Sequence, residues 1–263
     1  DLTEANLTEA ELPNSVLSKA KLCRASLKDA YLFSADLTGA DLRCANLQGA
    51  DLGHANLEKA DLTGADLSGA KLEGANLKGA VFTNANLTGA NLNLTVGNDA
   101  IFRDAVLNNA QLSSANLTGA VFRNAHLKEA DFAKANLERA DFEGADLTDA
   151  TLNGARLFNT KLQKSLVAQK WQLTRDLVTE GGQGRNLAGA DLSLTDLESA
   201  DLRNANLDSA DLSQANLINA SLQQANLTNA NLTGSKLSRS NLKKSNLKGA
   251  ILHDCDAREA DIS

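Results

Sequence analysis

Residues 35–54 read ADLTG ADLRC ANLQG ADLGH, four successive pentapeptides with one pattern. In each of them an alanine and a leucine enclose an Asp or Asn, and two further residues follow. The same spacing continues with few interruptions from Leu2 to Ile262, so an apolar residue recurs every five positions. Repetition at one fixed period is the signature of a solenoid, in which each repeat packs only against its neighbours.

A five-residue period suits neither an isolated helix nor a flat strand. On an α-helix, five residues advance about 140° past a full turn, so the leucines would spiral around the surface. On a strand, which alternates every second residue, successive leucines would point to opposite faces. The chain must therefore turn about once per pentapeptide. It winds around a central axis, with leucine and alanine inward and Asp or Asn outward.

Phenylalanine replaces the inward leucine at intervals of twenty residues, at Phe82, Phe102, Phe122 and Phe142. Because twenty residues are four pentapeptides, each coil has four sides, and we expect these rings to stack in one column. Phe132 lies two pentapeptides away from two members of that column, which places it on the opposite side.

These A(D/N)LXX motifs resemble the pentapeptide-repeat family over roughly residues 2–166 and 186–262. The resemblance implies an all-β solenoid, a right-handed quadrilateral β-helix, and the handedness follows from the resemblance alone. We predict a first repeat tract at 1–164, a helix–loop insertion at 165–185 and a second repeat tract at 186–263. The tracts would hold about eight and about four coils. A helical segment followed by GGQGRNLAGADL at 181–192 is similar to an insertion in cyanobacterial members of the family.

The insertion departs from the repeat because its apolar residues recur at three- and four-residue intervals. That spacing predicts an amphipathic α-helix of about four turns within 165–180, ended by Gly181 and Gly182. We interpret the helix as a cap over the open end of the first coil stack, or as a brace on its side. A partner-binding helix is the alternative. The expected anchors of the cap are Trp171, Leu166 and Leu177.

Several outward positions carry apolar residues where the repeat calls for polar ones. Val81, Ile101 and Val121 precede the column phenylalanines, so they should stack on one outer side of three successive coils. Contiguous exposed apolar surface marks an interface. Alternatively, these β-branched residues serve only the strand conformation, or the inserted helix folds over them. The predicted partner-binding surface comprises Val81, Ile101, Val121, Val106, Leu94, Val96, Arg103 and Arg123.

A smaller irregularity lies at 95–99, TVGND, where Gly97 stands at the position of the inward leucine. A glycine there predicts a bulge or a bent-out turn. Such a feature would be either a tolerated irregularity or a loop that contacts a partner.

The net charge of −7 and the pI near 5.0 argue against direct binding of nucleic acid. The family resemblance raises another option, because some members are acidic rods that imitate duplex DNA and bind type II topoisomerases. Such mimicry needs one continuously anionic side, and no side of the first tract forms a clean row of carboxylates. A basic patch lies near the C-terminus, and we interpret it as either a solvated face or a site for an acidic partner. It comprises Lys236, Arg239, Lys243, Lys244 and Lys248.

The sequence shows no motif for catalysis, cofactor binding or metal binding. Zinc-ligand spacings, phosphate loops, nucleophile elbows and calcium-binding nonapeptides are all missing from it. Three cysteines do not make a disulfide framework, which favours a reducing, cytoplasmic setting. No stretch is long and apolar enough to span a membrane.

These observations predict a non-enzymatic rod that binds a protein partner on an outer face, as an interaction scaffold. The alternatives are a DNA-mimicking protein that binds gyrase or another type II topoisomerase, and an architectural spacer within a larger protein. The sequence does not indicate which protein is the partner, and it leaves homodimerisation open.

Overall fold

The computed structural model describes residues 1–263, which divide into two compact units. The first unit comprises Asp1–Leu152 and Thr160–Ala168, and the second comprises Asn153–Asn159 and Gln169–Ser263. Each unit is a stack of coils joined by single parallel β-bridges between residues twenty apart, without longer strands. Helix α1, Gln169–Thr179, is the one helix in residues 1–263. The predicted four-sided β-solenoid with one short helical insertion is therefore confirmed.

Most pentapeptides satisfy their backbone amides in one way, as residues 36–40 illustrate. Two amides donate to carbonyls of the following coil, one donates to the preceding coil, and one closes the turn, at 2.7–2.9 Å. The fifth amide, that of Thr38, donates to Oδ1 of Asp36 at 3.0 Å. Asp and Asn recur at the bridge position because their side chains accept the one amide that the coil-to-coil ladder leaves over.

The second turn residue of each pentapeptide has a left-handed backbone, with φ of 54–60° at the non-glycine positions. This region is sterically hard for a side chain branched at Cβ. Glycine and side chains that are not branched at Cβ occupy the position, whereas Val, Ile and Thr do not. Threonine is frequent one residue earlier, as at Thr38 and Thr63. The turn therefore selects its residues by backbone conformation.

The interior of the first unit contains the predicted phenylalanine column. The rings of Phe82, Phe102, Phe122 and Phe142 stack with successive centroid distances of 4.8, 4.8 and 4.7 Å. Phe132 meets Phe122 and Phe142 edge to face from the opposite side, with centroids 5.8 Å away. All five rings are fully buried. The twenty-residue coil and the place of Phe132 are both confirmed.

The prediction of a bulge or bent-out turn at 95–99 is wrong. The amide of Gly97 donates to the Asn116 carbonyl at 2.7 Å, and the pentapeptide keeps its place in the bridge ladder. A Cβ added to Gly97 would lie 2.8 Å from Cδ2 of Leu117. Leu117, from the next coil, thus occupies the space that a leucine at this position would need.

Helix α1 packs on the leucine core of the second unit. Its buried side chains are Trp171, Thr174 and Leu177, and Leu177 belongs to that core. A Cβ added to Gly182 would meet Cδ2 of Leu177 at 2.7 Å and Cδ2 of Leu202 at 2.6 Å. Leu177 therefore fills the volume of the leucine that the repeat would place at 182. The sequence assigned this helix to the first coil stack, whereas the structure packs it on the second.

The helix also begins later than predicted, and one expected anchor is wrong. The Leu166 amide donates to the Ala145 carbonyl at 2.9 Å, and its carbonyl accepts from the Leu147 amide at 2.8 Å. Because both backbone groups belong to the coil ladder of the first unit, Leu166 stays outside α1, and its side chain is 60% exposed. With 11 residues, α1 falls short of the length and apolarity required to cross a bilayer.

Replacing the central ring of the column tests its contribution to stability. We expect Phe122→Ala to lower the free energy of unfolding of the first unit by about 3–5 kcal/mol, because it leaves a cavity between stacked rings. Urea unfolding followed by circular dichroism measures the loss. The control is Phe158→Ala, since this ring is 46% exposed and should cost about 1 kcal/mol or less. Equal losses in both variants would contradict the assignment.

A matched pair of threonine substitutions tests the turn. Gly69 has a φ of +64° and open space where a Cβ would stand, so Gly69→Thr adds backbone strain without a collision. We expect it to cost about 1–2 kcal/mol. Ser68→Thr, one residue earlier, should change the stability by less than about 0.5 kcal/mol. Melting temperatures compare the two proteins, and an equal effect at both positions would refute the conformational argument.

Candidate protein-interaction surface

Val81, Ile101 and Val121 form one column on the outside of the first unit, here called the aliphatic column. The parallel bridges Val81–Ile101 and Ile101–Val121 join them directly, and Asp61 and Asp141 continue the same side at the two ends. All three aliphatic side chains are half-buried. Neighbours in the ladder thus cover part of each side chain, and the column presents a flat apolar strip.

The remaining apolar residues of the predicted surface lie around the corners. Val96, Ile101 and Val106 are the bridge residues of three successive sides of the coil at 91–110. Leu94, in the turn before Val96, is 56% exposed and Val96 is 44% exposed, whereas Val106 is half-buried. The structure therefore brings the aliphatic column together on one side. Within the predicted surface, the most exposed apolar side chains are Leu94 and Val96, which lie at the corner and on the neighbouring side.

The residues of the aliphatic column lack the side-chain acceptor that Asp and Asn supply at this position. At Asp61 and Asp141, the side chain accepts the amide two residues later, at 3.0 and 3.1 Å. Valine and isoleucine have no oxygen for this role, so the amides of residues 83, 103 and 123 must find another acceptor, such as water. The backbone ladder does not require aliphatic residues here, because it holds equally well with Asp, Asn or Lys at other coils.

An ion-pair cluster closes one end of the column. Nε of Arg123 lies 2.8 Å from Oδ2 of Asp141, and its Nη2 lies 3.4 Å from Glu143. Lys161 approaches Asp141 at 3.6 Å, and Lys164 approaches Glu143 at 3.6 Å. Burial by itself would raise the pKa of Asp141, but the hydrogen bond from Arg123, the Glu143 amide and the charges of Arg123 and Lys161 hold it below its usual value.

The carboxylates at the bridge positions of this side are paired with cations. Arg43 forms a two-pronged contact with Asp41 at 2.7 Å for both bonds, and its Nε lies 3.9 Å from Asp61. Because paired aspartates present little net charge, this side does not offer the continuous anionic surface that DNA mimicry needs. Arg103, in contrast, is exposed and forms no ion pair, so its guanidinium is available beside Ile101.

The C-terminal basic patch is less basic in the structure than in the sequence. Arg239 pairs with Glu259 at 2.8 Å and Lys243 with Asp261 at 3.0 Å. The cysteines at 23, 44 and 255 are free thiols. No three His, Cys, Asp or Glu side chains of residues 1–263 are grouped in a way that could hold a metal ion. These features add no second candidate site.

Sequence reasoning missed one surface cluster, formed by Tyr31, Phe33 and His54. The rings of Tyr31 and Phe33 stack with centroids 6.0 Å apart, and Phe33 meets His54 edge to face at 5.4 Å. The signal was present in AYLFS at 30–34, where aromatic residues replace both the bridge residue and the first turn residue.

Comparison with protein families identifies the repeat. The family model "Pentapeptide repeats" matches in eight copies, at residues 1–39, 40–79, 60–96, 75–110, 98–124, 125–163, 186–224 and 225–263. The chain belongs to the pentapeptide-repeat family. Members of this family are right-handed quadrilateral β-helices, so the predicted handedness is confirmed.

Solved structures of the family include cyanobacterial proteins. HetL from Nostoc sp. strain PCC 7120, a pentapeptide repeat protein involved in heterocyst differentiation regulation, is 30% identical, with a TM-score of 0.35. The match covers 97% of this chain and 88% of HetL. QnrB1, a plasmid-mediated fluoroquinolone resistance protein, is 18% identical over 80% of this chain and 87% of its own, with a TM-score of 0.32. A comparison with curated proteins gave no match.

Removing the guanidinium of Arg123 tests the ion-pair cluster. We expect Arg123→Gln to raise the pKa of Asp141, because the burial that opposes ionisation remains while its hydrogen-bonded cation is lost. Carbon-detected NMR titration of the carboxyl group measures this pKa. The control is Arg103→Gln, which removes an arginine of the same turn column that forms no ion pair and should leave the pKa unchanged.

The same shift has a consequence for stability. Because the pKa of Asp141 is lowered by folding, its ionised form stabilises the protein above the unfolded-state pKa of about 4. That contribution is lost as the pH falls through the folded-state value. Arg123→Gln should therefore reduce the acid sensitivity that Asp141 contributes, and an unchanged Asp141 titration would disprove the pairing.

Proposed function

We propose that this protein is a non-enzymatic interaction scaffold whose partner docks on the side that carries the aliphatic column. The observation that supports this most directly is that three successive coils carry an aliphatic residue at the same outward bridge position. These residues are Val81, Ile101 and Val121. The repeat elsewhere favours Asp or Asn at that position, where the side chain caps a turn. Aliphatic residues there give up the cap and place apolar atoms at the surface, an arrangement that burial against a partner would stabilise.

The surroundings of the column have the composition of an interface. An apolar centre with a polar rim is the usual arrangement, and arginine is among the residue types that contribute most to the binding energy of interfaces. Arg103 stands free beside the column, and the cluster around Arg123 and Asp141 bounds one end. A stable contact of about 800 Å² on each partner exceeds the strip itself. The partner therefore extends around the corner to Leu94 and Val96, the more exposed apolar residues.

Introducing positive charge into the aliphatic column tests this proposal. The variant carries Val81→Lys, Ile101→Lys and Val121→Lys. It should fold, because Lys71 and Lys161 already occupy bridge positions with the ladder intact. Proteins captured from a lysate of the producing organism are identified by mass spectrometry. The partner is then purified and its affinity measured for both proteins. We expect at least a tenfold weaker binding by the variant, since lysine places charge in an apolar contact.

The control variant adds the same charge to the opposite side of the same unit. Asn91→Lys, Gln111→Lys and Thr151→Lys replace three neutral bridge residues and also add three positive charges. The control should bind the partner as tightly as the wild type. Equal affinity of all three proteins would rule out the aliphatic column as the docking side. If the captured protein were a gyrase subunit whose binding depended on carboxylates, DNA mimicry would become the better explanation, and a protein without any partner would fit an architectural spacer.

A further inference from the structure

Aromatic side chains are rare in this protein, and most are internal. The chain has seven Phe, one Tyr and one Trp. Five of the phenylalanines are fully buried in the core, and Trp171 is only 6% exposed. Tyr31 and Phe33 are therefore exceptional, because both lie on the surface within one pentapeptide. Together with His54 they form what we call the aromatic cluster, on the side whose bridge residues include Tyr31 and Asp51.

Two of the three rings, those of Phe33 and His54, pack against glycines of the following coils. A Cβ added to Gly53 would lie 3.0 and 3.1 Å from ring atoms of Phe33. A Cβ added to Gly74 would lie 2.6 Å from two ring atoms of His54. Any side chain at either glycine would displace a ring. Phe33 and His54 thus pack against bare backbone in two successive coils, and Tyr31 stacks on Phe33.

Carboxylates flank the same rings. Glu11 and Asp51 are the bridge neighbours of Tyr31 in the coils before and after it. Glu11 forms no ion pair. Asp51 accepts the Gly53 amide at 3.0 Å through Oδ1, which leaves Oδ2 at the surface, 3.8 Å from Nζ of Lys71. That lysine is mostly exposed, so its contact with Asp51 is easily exchanged.

Two further carboxylates lie in the turns beside the rings. Asp29 is in the turn before Tyr31, and Glu73 follows Phe33 and Gly53 in one turn column. Lys28, next to Asp29, and Lys71 are the cations of this region. Four carboxylates against two lysines give the surface around the rings a net negative charge. Neither lysine stands in the turn column of Phe33 and Gly53.

We propose that the aromatic cluster binds an arginine side chain in an exposed segment of a partner protein. A guanidinium stacks on the open face of a tyrosine or phenylalanine ring, and its planar fork of N–H donors matches a carboxylate. Here the exposed ring of Tyr31, 37% accessible, stands between two carboxylates of its own ladder. The site lies two sides away from the aliphatic column, so it is distinct from the docking side proposed above.

The single tyrosine makes a direct test possible. Incorporation of 3-fluorotyrosine gives the full chain one fluorine NMR signal, that of residue 31. The probe is a capped pentapeptide with one arginine between two pairs of glycines. We expect this peptide to shift the signal saturably. The same peptide with citrulline, which has nearly the same shape without the charge, should not shift it. Equal shifts with both peptides, or no saturable shift with arginine, would overturn the proposal.

Variants separate the contributions of the rings and the carboxylates. Phe33→Ala should weaken binding of the arginine peptide about threefold to fivefold. Phe158→Ala, which truncates an exposed phenylalanine of the second unit, should leave the affinity unchanged. Glu11→Gln combined with Asp51→Asn removes two charges while Asn keeps the Oδ1 acceptor for Gly53, so the turn is preserved and binding should again weaken. Unchanged affinity in both site variants would contradict the proposal, as would a shift produced by a neutral oligosaccharide in place of the arginine peptide.

Discussion

Hydrogen bonds from each coil to the next set the geometry on which everything else in both units depends. They hold equivalent backbone atoms one strand spacing apart, about 4.8 Å, so each side chain meets the side chain twenty residues later. The phenylalanine rings, with centroids 4.7–4.8 Å apart, follow this spacing directly. So does the asparagine ladder in which Asn206 donates to Asn186 at 2.9 Å and Asn226 donates to Asn206 at 3.0 Å. Residues twenty apart meet because the backbone hydrogen bonds allow no other register.

The register made much of the fold predictable from sequence. The predictions that were wrong have one physical cause, which is that they depend on how side chains fill space. The four-sided coil followed from the spacing of Phe82 and Phe102, because period alone determines which residues stack. Gly97 was misread since its effect depends on volume, and Leu117 fills the space. The helix was assigned to the first coil stack for the same reason. Only packing shows that Leu177 substitutes for the leucine missing at 182.

The candidate surfaces were predictable to a similar extent. The stacking of Val81, Ile101 and Val121 followed from the register, but their partial burial and the greater exposure of Leu94 depend on local packing. The aromatic cluster was readable in principle, because Phe33 stands twenty residues before Gly53 and His54 twenty before Gly74. It was missed because the first turn residue varies widely in this repeat, and the second is restricted only by its left-handed backbone. An unusual turn residue indicates a packed cluster only when the next coil has a glycine against which its side chain can pack.

The outward positions are free to specialise because the ladder does not depend on them. A bridge residue contributes its backbone to the stack whether it is Asp, Lys, Val or Tyr, and the bridges continue unchanged through all four types. The one interaction that a replacement at this position removes is the turn cap, a hydrogen bond of about 1 kcal/mol. One side of the first unit can therefore carry an aliphatic column while the opposite side carries aromatic rings among carboxylates. Neither arrangement constrains the other through the core, so the outward residues of the two sides can change independently.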